Sequence, residues 1–201
     1  SDRGLCGSFN SGVNKFAENL MKEKSSQYEK LDFIFIGRRV LDYFKRRDVK
    51  PIDSVTGLDK DISYELAAQV ANQVISLFKK GEYEEIQIVY NEFKSAISQE
   101  VVAEKILPVD ASGANSFDDQ GEQRFAKDLI FEPSPSEIID ELLEKHFAVQ
   151  IYRCMSESVA SEHGARMTAM ENSTKNAGEL IKSLTTTYNK LRQASITKEL
   201  I

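Results

Sequence analysis

Hydrophobic positions alternate between two spacings over the first 135 residues. Val13, Phe16, Ala17 and Leu20 recur three or four apart, on one face of a helix predicted to run to about Lys24 with Asn10 or Ser11 as its cap. Leu31–Gly37 is almost continuously apolar, as a buried parallel strand is. Arg38–Arg47 returns to helical spacing, with Val40, Leu41 and Phe44 on one side and basic residues on the other. Pro51–Gly57 interrupts the pattern. Ser63–Lys80 predicts a strong helix through Leu66, Val70, Val74, Leu77 and Phe78, stopped by Gly81. Glu85–Tyr90 and Val101–Leu107 read as strands, and Leu129–Phe131 as a short last one before Pro133 and Pro135. The polar, aperiodic stretch Asp110–Arg124 reads as a loop. Strands alternating with helices imply an α/β domain over residues 1–135, with a mostly parallel, Rossmann-like sheet and flanking helices.

Residues 136–201 break with this alternation. They contain no proline and no strand-like pattern, and Ser136 suits a helix cap, with Glu137, Asp140 and Glu141 in the first turn. One continuous helix here would be about 100 Å long. Ile138, Ile139, Leu142, Leu143, Phe147, Ile151, Tyr152 and Met155 form a broad stripe suited to packing on a globular body. From about residue 165 the stripe narrows to Ala177, Ile181, Leu184, Tyr188 and Leu191, the 4-3-4-3 spacing of a coiled-coil seam. Gly164 and Gly178 are expected soft spots, each costing about 1 kcal/mol relative to alanine. No other segment of the sequence is a long heptad helix, so the seam requires a partner.

Composition narrows the class. The 201 residues carry 26 Lys+Arg against 32 Asp+Glu, and a net charge of −6 with a pI near 5.1 argues against nucleic-acid binding. The hydrophobic fraction of 41% supports a folded core. No apolar run reaches the ~18–20 residues of a membrane span, and the start lacks the regions of a signal peptide. Cys6 and Cys154 lie too far apart in sequence for a C-x-x-C site or a disulfide framework, which fits a reducing, intracellular compartment. The charge is uneven: residues 1–50 sum to +4, 51–100 to −5, 101–150 to −7 and 151–201 to +2.

Four features could carry chemistry. The turn S-D-R-G-L-C-G-S-F-N places Gly4 and Gly7 before a helix, but it lacks the G-x-G-x-x-G spacing and the Walker lysine. It reads first as a tight turn and second as a phosphate site over residues 3–10. His146 and His163 complete no metal set and read as exposed helix positions. Cys6 reads as a small buried residue before it reads as a nucleophile. Arg38, Arg39, Lys45, Arg46, Arg47 and Lys50 read as a solvated basic face, with docking to acidic groups on a protein or an anionic membrane surface as the sharper alternative. Glu82, Glu84 and Glu85 form an acidic, solvent-side turn.

S-D-R-G-L-C-G-S-F-N at the start, and S-E-H-G-A-R-M-T-A-M-E-N-S-T-K-N-A-G-E-L-I-K-S-L-T-T-T-Y-N-K-L-R-Q-A-S-I-T-K-E-L from Ser161 to Leu200, strongly resemble the signatures of the gamma subunit of F-type ATP synthases. Y-N-E-F-K-S-A-I-S-Q (Tyr90–Gln99) and F-E-P-S-P (Phe131–Pro135) fall where that family has similar segments. The resemblance implies a non-catalytic rotor shaft without cofactor or metal. Its C-terminal helix would be half of an antiparallel coiled coil inside the ring of alpha and beta subunits, whose beta sites do the chemistry. Its α/β domain would contact the epsilon subunit and the c-subunit ring, peripheral to the cytoplasmic face of a bacterial inner membrane or the equivalent organellar compartment.

The resemblance further implies a fragment, with Ser1 at the end of the family's first strand and the long N-terminal helix that pairs with the C-terminal one not included. It assigns partner contact or energy coupling to Arg192, Gln193, Thr197 and Glu199 in R-Q-A-S-I-T-K-E-L, to Arg166 in A-R-M, and to Glu132 in F-E-P. Arg38, Arg39, Arg46 and Arg47 become a possible foot-side docking patch. Gly164 stands where the family more usually has alanine, and the Cys pair of the chloroplast redox switch is not in the 110–124 stretch. Two other functions fit the residues alone: a nucleotide-binding α/β enzyme using the turn at 3–10, and a coiled-coil adaptor that pairs with itself.

Overall fold

The computed structural model describes residues 1–57, 62–109 and 135–199, apart from the side chains of residues 135–137 and 140. The elements run α1 (Phe9–Lys24), β1 (Ile34–Ile36), α2 (Arg38–Lys45), β2 (Asp53–Val55), α3 (Tyr64–Lys79), β3 (Ile86–Ser95), β4 (Ser98–Leu107) and α4 (Pro135–Glu199). The expected loop at 110–124, the strand at 129–131 and Glu132 lie outside the described residues.

The class is α/β with a long C-terminal helix, as expected, but the sheet is small. β1 and β2 pair in parallel, with Ile34 opposite Asp53 and Ile36 opposite Val55. β3 and β4 form an antiparallel hairpin, with Ile86 opposite Leu107 and Ser95 opposite Ser98. The expected parallel arrangement thus holds for the first pair and not for the second. Ala96 and Ile97 make the hairpin's turn without the Asn-Gly or Asp-Gly pair that announces one in sequence. The two pairs are separate sheets. Between them, α1, residues 27–36 and β3 line a cleft of about 660 Å³.

Two apolar clusters hold the body together. In the first, α2 lies on β1, and the Phe44 ring stacks on Phe35 at 5.0 Å and on Phe33 at 6.4 Å between centroids. Phe44 is 1% exposed. In the second, α3 and α4 pack with the far end of the hairpin: Ala67, Val70, Ala71 and Ile75 meet Phe147, Ala148, Ile151 and Met155, with Ile106 and Leu107 alongside. The buried face of α3 centres on Ala67 and Ala71, both 0% exposed, while Leu66, Val74 and Phe78 flank it. Alanine at the contact lets the two helix backbones approach closely. Ser63 caps α3, its hydroxyl accepting from Leu66 N–H at 3.2 Å.

α4 begins with Pro135 in its first turn, where proline loses no intrahelical hydrogen bond, so Ser136 lies inside the helix instead of capping it. The broad stripe expected near the start of α4 is two faces laid over each other. Phe147, Ala148, Ile151, Cys154 and Met155 are buried, whereas Ile139, Leu142, Leu143, Val149 and Tyr152 are exposed. Leu142 and Val149 lie a whole number of heptads before Ala177, Leu184 and Leu191, and Ile139 and Met167 before Ile181 and Tyr188. These outer residues share a heptad phase with the distal seam, but between Val149 and Met167 that phase falls on Arg153, Ser156, Ala160 and His163, so the row of large apolar side chains is interrupted there.

Replacing Phe44 with alanine removes the ring at the centre of the first cluster, at an expected cost of about 3–5 kcal/mol. Urea unfolding should show that loss, while Asp42→Ala on the exposed side of α2 should shift stability by less than about 0.5 kcal/mol.

Candidate functional site

The distal half of α4 is exposed on every side from Glu171 to Glu199. Ile181, Leu184, Tyr188 and Leu191 are each 60–66% exposed, a row of large apolar side chains without cover among the described residues. At 100° per residue, Arg192 and Glu199 lie about 20° apart on a face beside this seam, and Gln193 and Thr197 lie together about a third of a turn away. The four expected coupling residues thus form two clusters at one end of the rod. The Thr197 hydroxyl donates to the Gln193 carbonyl at 2.9 Å, one of several such back-bonds along α4, with Thr185, Thr186 and Thr187.

Arg166 stands apart from them. It lies 26 residues before Arg192, or about 39 Å along the helix. Its guanidinium pairs with Glu162, which is 7% exposed, and its Nε donates to the Gly4 carbonyl at 3.4 Å. Arg166 therefore ties α4 to the glycine turn. That turn is stiffened from within. Leu5 and Gly7 take positive φ of 63° and 56°, the Asn10 amide donates to the Cys6 Sγ at 3.1 Å, and Cys6 is 2% exposed.

The Asp2 carboxylate accepts from the Arg38 N–H at 2.8 Å and from the Gly57 N–H at 3.0 Å. A helix N-terminus is a natural anion site, and here the chain's own carboxylate occupies the start of α2. That carboxylate lies at α2 and not at α1, the helix that follows the glycine turn; it is the bonds within residues 3–10 that make them a tight turn. Among the described residues no group of His, Cys, Asp and Glu could hold a metal ion, and His146 and His163 are both exposed.

The hairpin meets α4 through polar groups that sequence reasoning missed. Arg153 donates to both Glu104 oxygens at 2.8 and 2.6 Å, to the Tyr90 hydroxyl at 3.1 Å, to Glu157 at 3.0 Å and to Gln150 at 3.0 Å. The Tyr90 hydroxyl donates in turn to Glu104 at 3.0 Å. Burial raises the Tyr90 phenol well above the ordinary tyrosine range. Burial also pushes the adjacent Cys154 thiol up to about 11, with the Glu104 carboxylate opposing its ionisation as well.

Further along, the Ser161 hydroxyl donates to the Asn91 carbonyl at 3.1 Å, and the Thr168 hydroxyl to the Ala96 carbonyl at 3.3 Å. Gly164 lies buried between them. A Cβ there would stand 3.0 Å from the Ala96 carbonyl oxygen and 3.2 Å from its Cα. The expected soft spot is thus a point of close approach, which alanine could fill only if the hairpin tip gave by a few tenths of an ångström. Asn91, 3% exposed with its side-chain N–H group unpartnered, lines a second cleft of about 400 Å³ between the hairpin tip, the glycine turn and α4.

Arg38, Arg39, Arg46 and Arg47 are all exposed on or just beyond α2. They are not equivalent. The Arg47 guanidinium stacks on the Tyr43 ring at 3.7 Å and approaches Glu18 at 3.9 Å, and Arg38 lies 4.0 Å from Asp42. In the acidic turn, Glu82 and Glu84 face solvent, while Glu85 is drawn inward by Lys24 at 3.3 Å and by the Tyr28 hydroxyl at 3.0 Å.

A family model described as ATP synthase matches residues 1–201. The chain is 61% identical to the ATP synthase gamma chain of Bdellovibrio bacteriovorus, covering all of this chain and 68% of that protein. It is 42% identical to the gamma chain of Geotalea uraniireducens, again over the whole chain and 68% of the relative. Among solved structures, the central stalk and c-ring of the Tetrahymena thermophila mitochondrial ATP synthase contains a chain that superposes with a TM-score of 0.65 at 27% identity, over 87% of this chain and 73% of that one. A chain of the Euglena gracilis mitochondrial ATP synthase rotor shares the fold with a TM-score of 0.67 at 23% identity, over 97% of this chain and 71% of that one.

The Cys154 thiol keeps its proton in the folded protein to about pH 11, against about 9 when unfolded. Its contribution is whole below pH 9 and lost between pH 9 and 11, because the unfolded chain there binds fewer protons than the folded one. Two outcomes follow: Cys154 should resist alkylation by iodoacetamide in the native protein at pH 8, and Cys154→Ala should flatten part of the fall in stability from pH 9 to 11.

Proposed function

Since the chain belongs to the ATP synthase gamma-chain family, we propose that the exposed end of α4 works against the ring of alpha and beta subunits while the α/β body rides on the epsilon subunit and the c-subunit ring. The chain is a rotor subunit of the ATP synthase and is not itself catalytic; the catalytic sites lie on the beta subunits. The observation that carries the proposal is the form of α4, a helix of 65 residues rooted in the body at one end and exposed around its whole circumference at the other. An asymmetric rod turning inside a ring can push each beta site through its nucleotide states in turn, without any chemistry of its own.

Arg192, Gln193, Thr197 and Glu199 are proposed as the contacts at the ring. Exposed charge pairs are worth only about 0–1 kcal/mol each, so a turning shaft can make and release them at every step. For Arg166 the reading differs: its bonds to Glu162 and Gly4 suit coupling through the root of the shaft, not through touching the ring. A coupling role for Glu132 rests on the F-E-P resemblance. Arg38, Arg39, Arg46 and Arg47 are proposed as the foot-side docking patch. The self-pairing adaptor and the nucleotide-binding enzyme give way to the rotor.

The subunit is peripheral and membrane-associated through its complex. No described helix is long and apolar enough to cross a membrane. We place it on the cytoplasmic face of a bacterial inner membrane or in the equivalent organellar compartment, in keeping with its bacterial relatives.

Reconstitution of the full-length chain with alpha and beta subunits tests the ring contacts. Arg192→Ala with Glu199→Ala should lower coupled ATP hydrolysis between about two- and tenfold; unchanged coupling would remove both residues from the interface. Neutralising Arg38, Arg39, Arg46 and Arg47 should weaken binding to epsilon or the c ring and reduce its salt dependence. Equal binding at low salt would leave these arginines as a solvated face.

A further inference from the structure

We propose that torque passes between the body and the shaft through the β3–β4 hairpin, with Arg153 as the residue that fixes the angle of α4 on it. The proposal rests on the rotor reading and adds a path within the subunit.

The apolar contact of α4 with α3 opposes separation, but hydrophobic burial has no preferred direction. Hydrogen bonds weaken steeply once misaligned, so it is the polar contacts that resist turning the helix about its own axis. Those contacts lie on one strip. At 100° per residue, Arg153, Ser161, Gly164 and Thr168 fall within about 80° of one another. Their partners follow in the same order along β3, from Tyr90 to Asn91 to Ala96 in the turn. Fifteen helical residues from Arg153 to Thr168 span about 22 Å, and six strand residues from Tyr90 to Ala96 span about 20 Å. The hairpin therefore lies along the helix and grips it at intervals, in the position of a key along an axle.

Arg153 is the strongest of these grips. The guanidinium spreads its donors, Nη2 to both Glu104 oxygens and Nη1 to the Tyr90 hydroxyl and to Glu157, so bonds at several angles fix its direction, and charge-assisted pairs are stronger than neutral hydrogen bonds. Ser161 and Thr168 hold only backbone carbonyls, and Gly164 contributes closeness without a bond. Arg153 is thus a positioning residue for rotation, acting through β4 and through the Tyr90 hydroxyl.

The test uses the full-length gamma chain in the assembled, membrane-bound ATP synthase, reading protons pumped per ATP hydrolysed. Arg153→Met keeps an extended side chain and removes these donors. It should lower that ratio by about threefold or more while hydrolysis by the assembled enzyme stays within about twofold. Arg153→Lys should recover part of the ratio, and Arg153→Glu combined with Glu104→Arg should recover more than either change alone. A purely structural role would reduce the amount of assembled enzyme without moving the ratio. A wild-type ratio in assembled Arg153→Met enzyme overturns the proposal. If that variant does not assemble, Glu104→Gln, which keeps the shape and removes the charge that Arg153 holds, is read in the same way, and an unchanged ratio again overturns it. Failure of the wild-type chain itself to support pumping would count against the rotor reading, a separate result.

Discussion

The anchorage of α4 on the body is the constraint on which the other features of this chain depend. A helix of 65 residues, exposed on every side over its distal part, must take its direction from the part that is held. That hold has two components of different character. Ala67, Val70, Ala71 and Ile75 against Phe147, Ala148, Ile151 and Met155 supply the burial that keeps α4 on α3. Arg153, Ser161, Thr168 and Arg166 supply the directed bonds that set its azimuth against the hairpin and the glycine turn. Apolar packing alone would leave the outward seam free to face a range of directions.

The same division explains why the glycine turn matters in a subunit without chemistry. Its backbone is pinned by Asp2 to the start of α2, by Asn10 to Cys6 and by Arg166 to α4. A motif that looks in sequence like the entry to a phosphate site is a three-way joint. Its positive-φ residues allow the chain to reach all three partners within ten residues.

Much of this was legible from spacing alone. Helical periodicity located α1, α2, α3 and α4, because an amphipathic face repeats often enough to be counted. The seam at Ile181, Leu184, Tyr188 and Leu191 was visible for the same reason. The separate outer row of Ile139, Leu142 and Val149 was hidden, because Phe147, Ile151 and Met155 on the inner face fill the gaps between Leu142, Val149 and Tyr152 on the outer one. β2 escaped notice because three residues carry no period, and the hairpin because Ala96 and Ile97 are not turn formers. Ala67 and Ala71 gave no sign of standing at the centre of a helix contact, where their smallness is what counts. The Arg153 cluster was out of reach for another reason: its partners lie 49 and 63 positions away in sequence, and no local rule joins an arginine to a glutamate at such a distance.

The hairpin lies along α4 at two different pitches, six residues of strand against fifteen of helix, and this has a consequence for how such a chain can change over generations. A substitution within the span from Arg153 to Thr168 alters one contact and leaves the angular setting of the others in place. An inserted or deleted residue does not, because it would turn everything beyond it by about 100° relative to the body. The outer end of the rod, some tens of ångströms away, would then present a different side to its surroundings with every one of its own residues unaltered. Over that stretch the number of residues is therefore as much a part of the grip as Arg153, Ser161, Gly164 and Thr168 themselves.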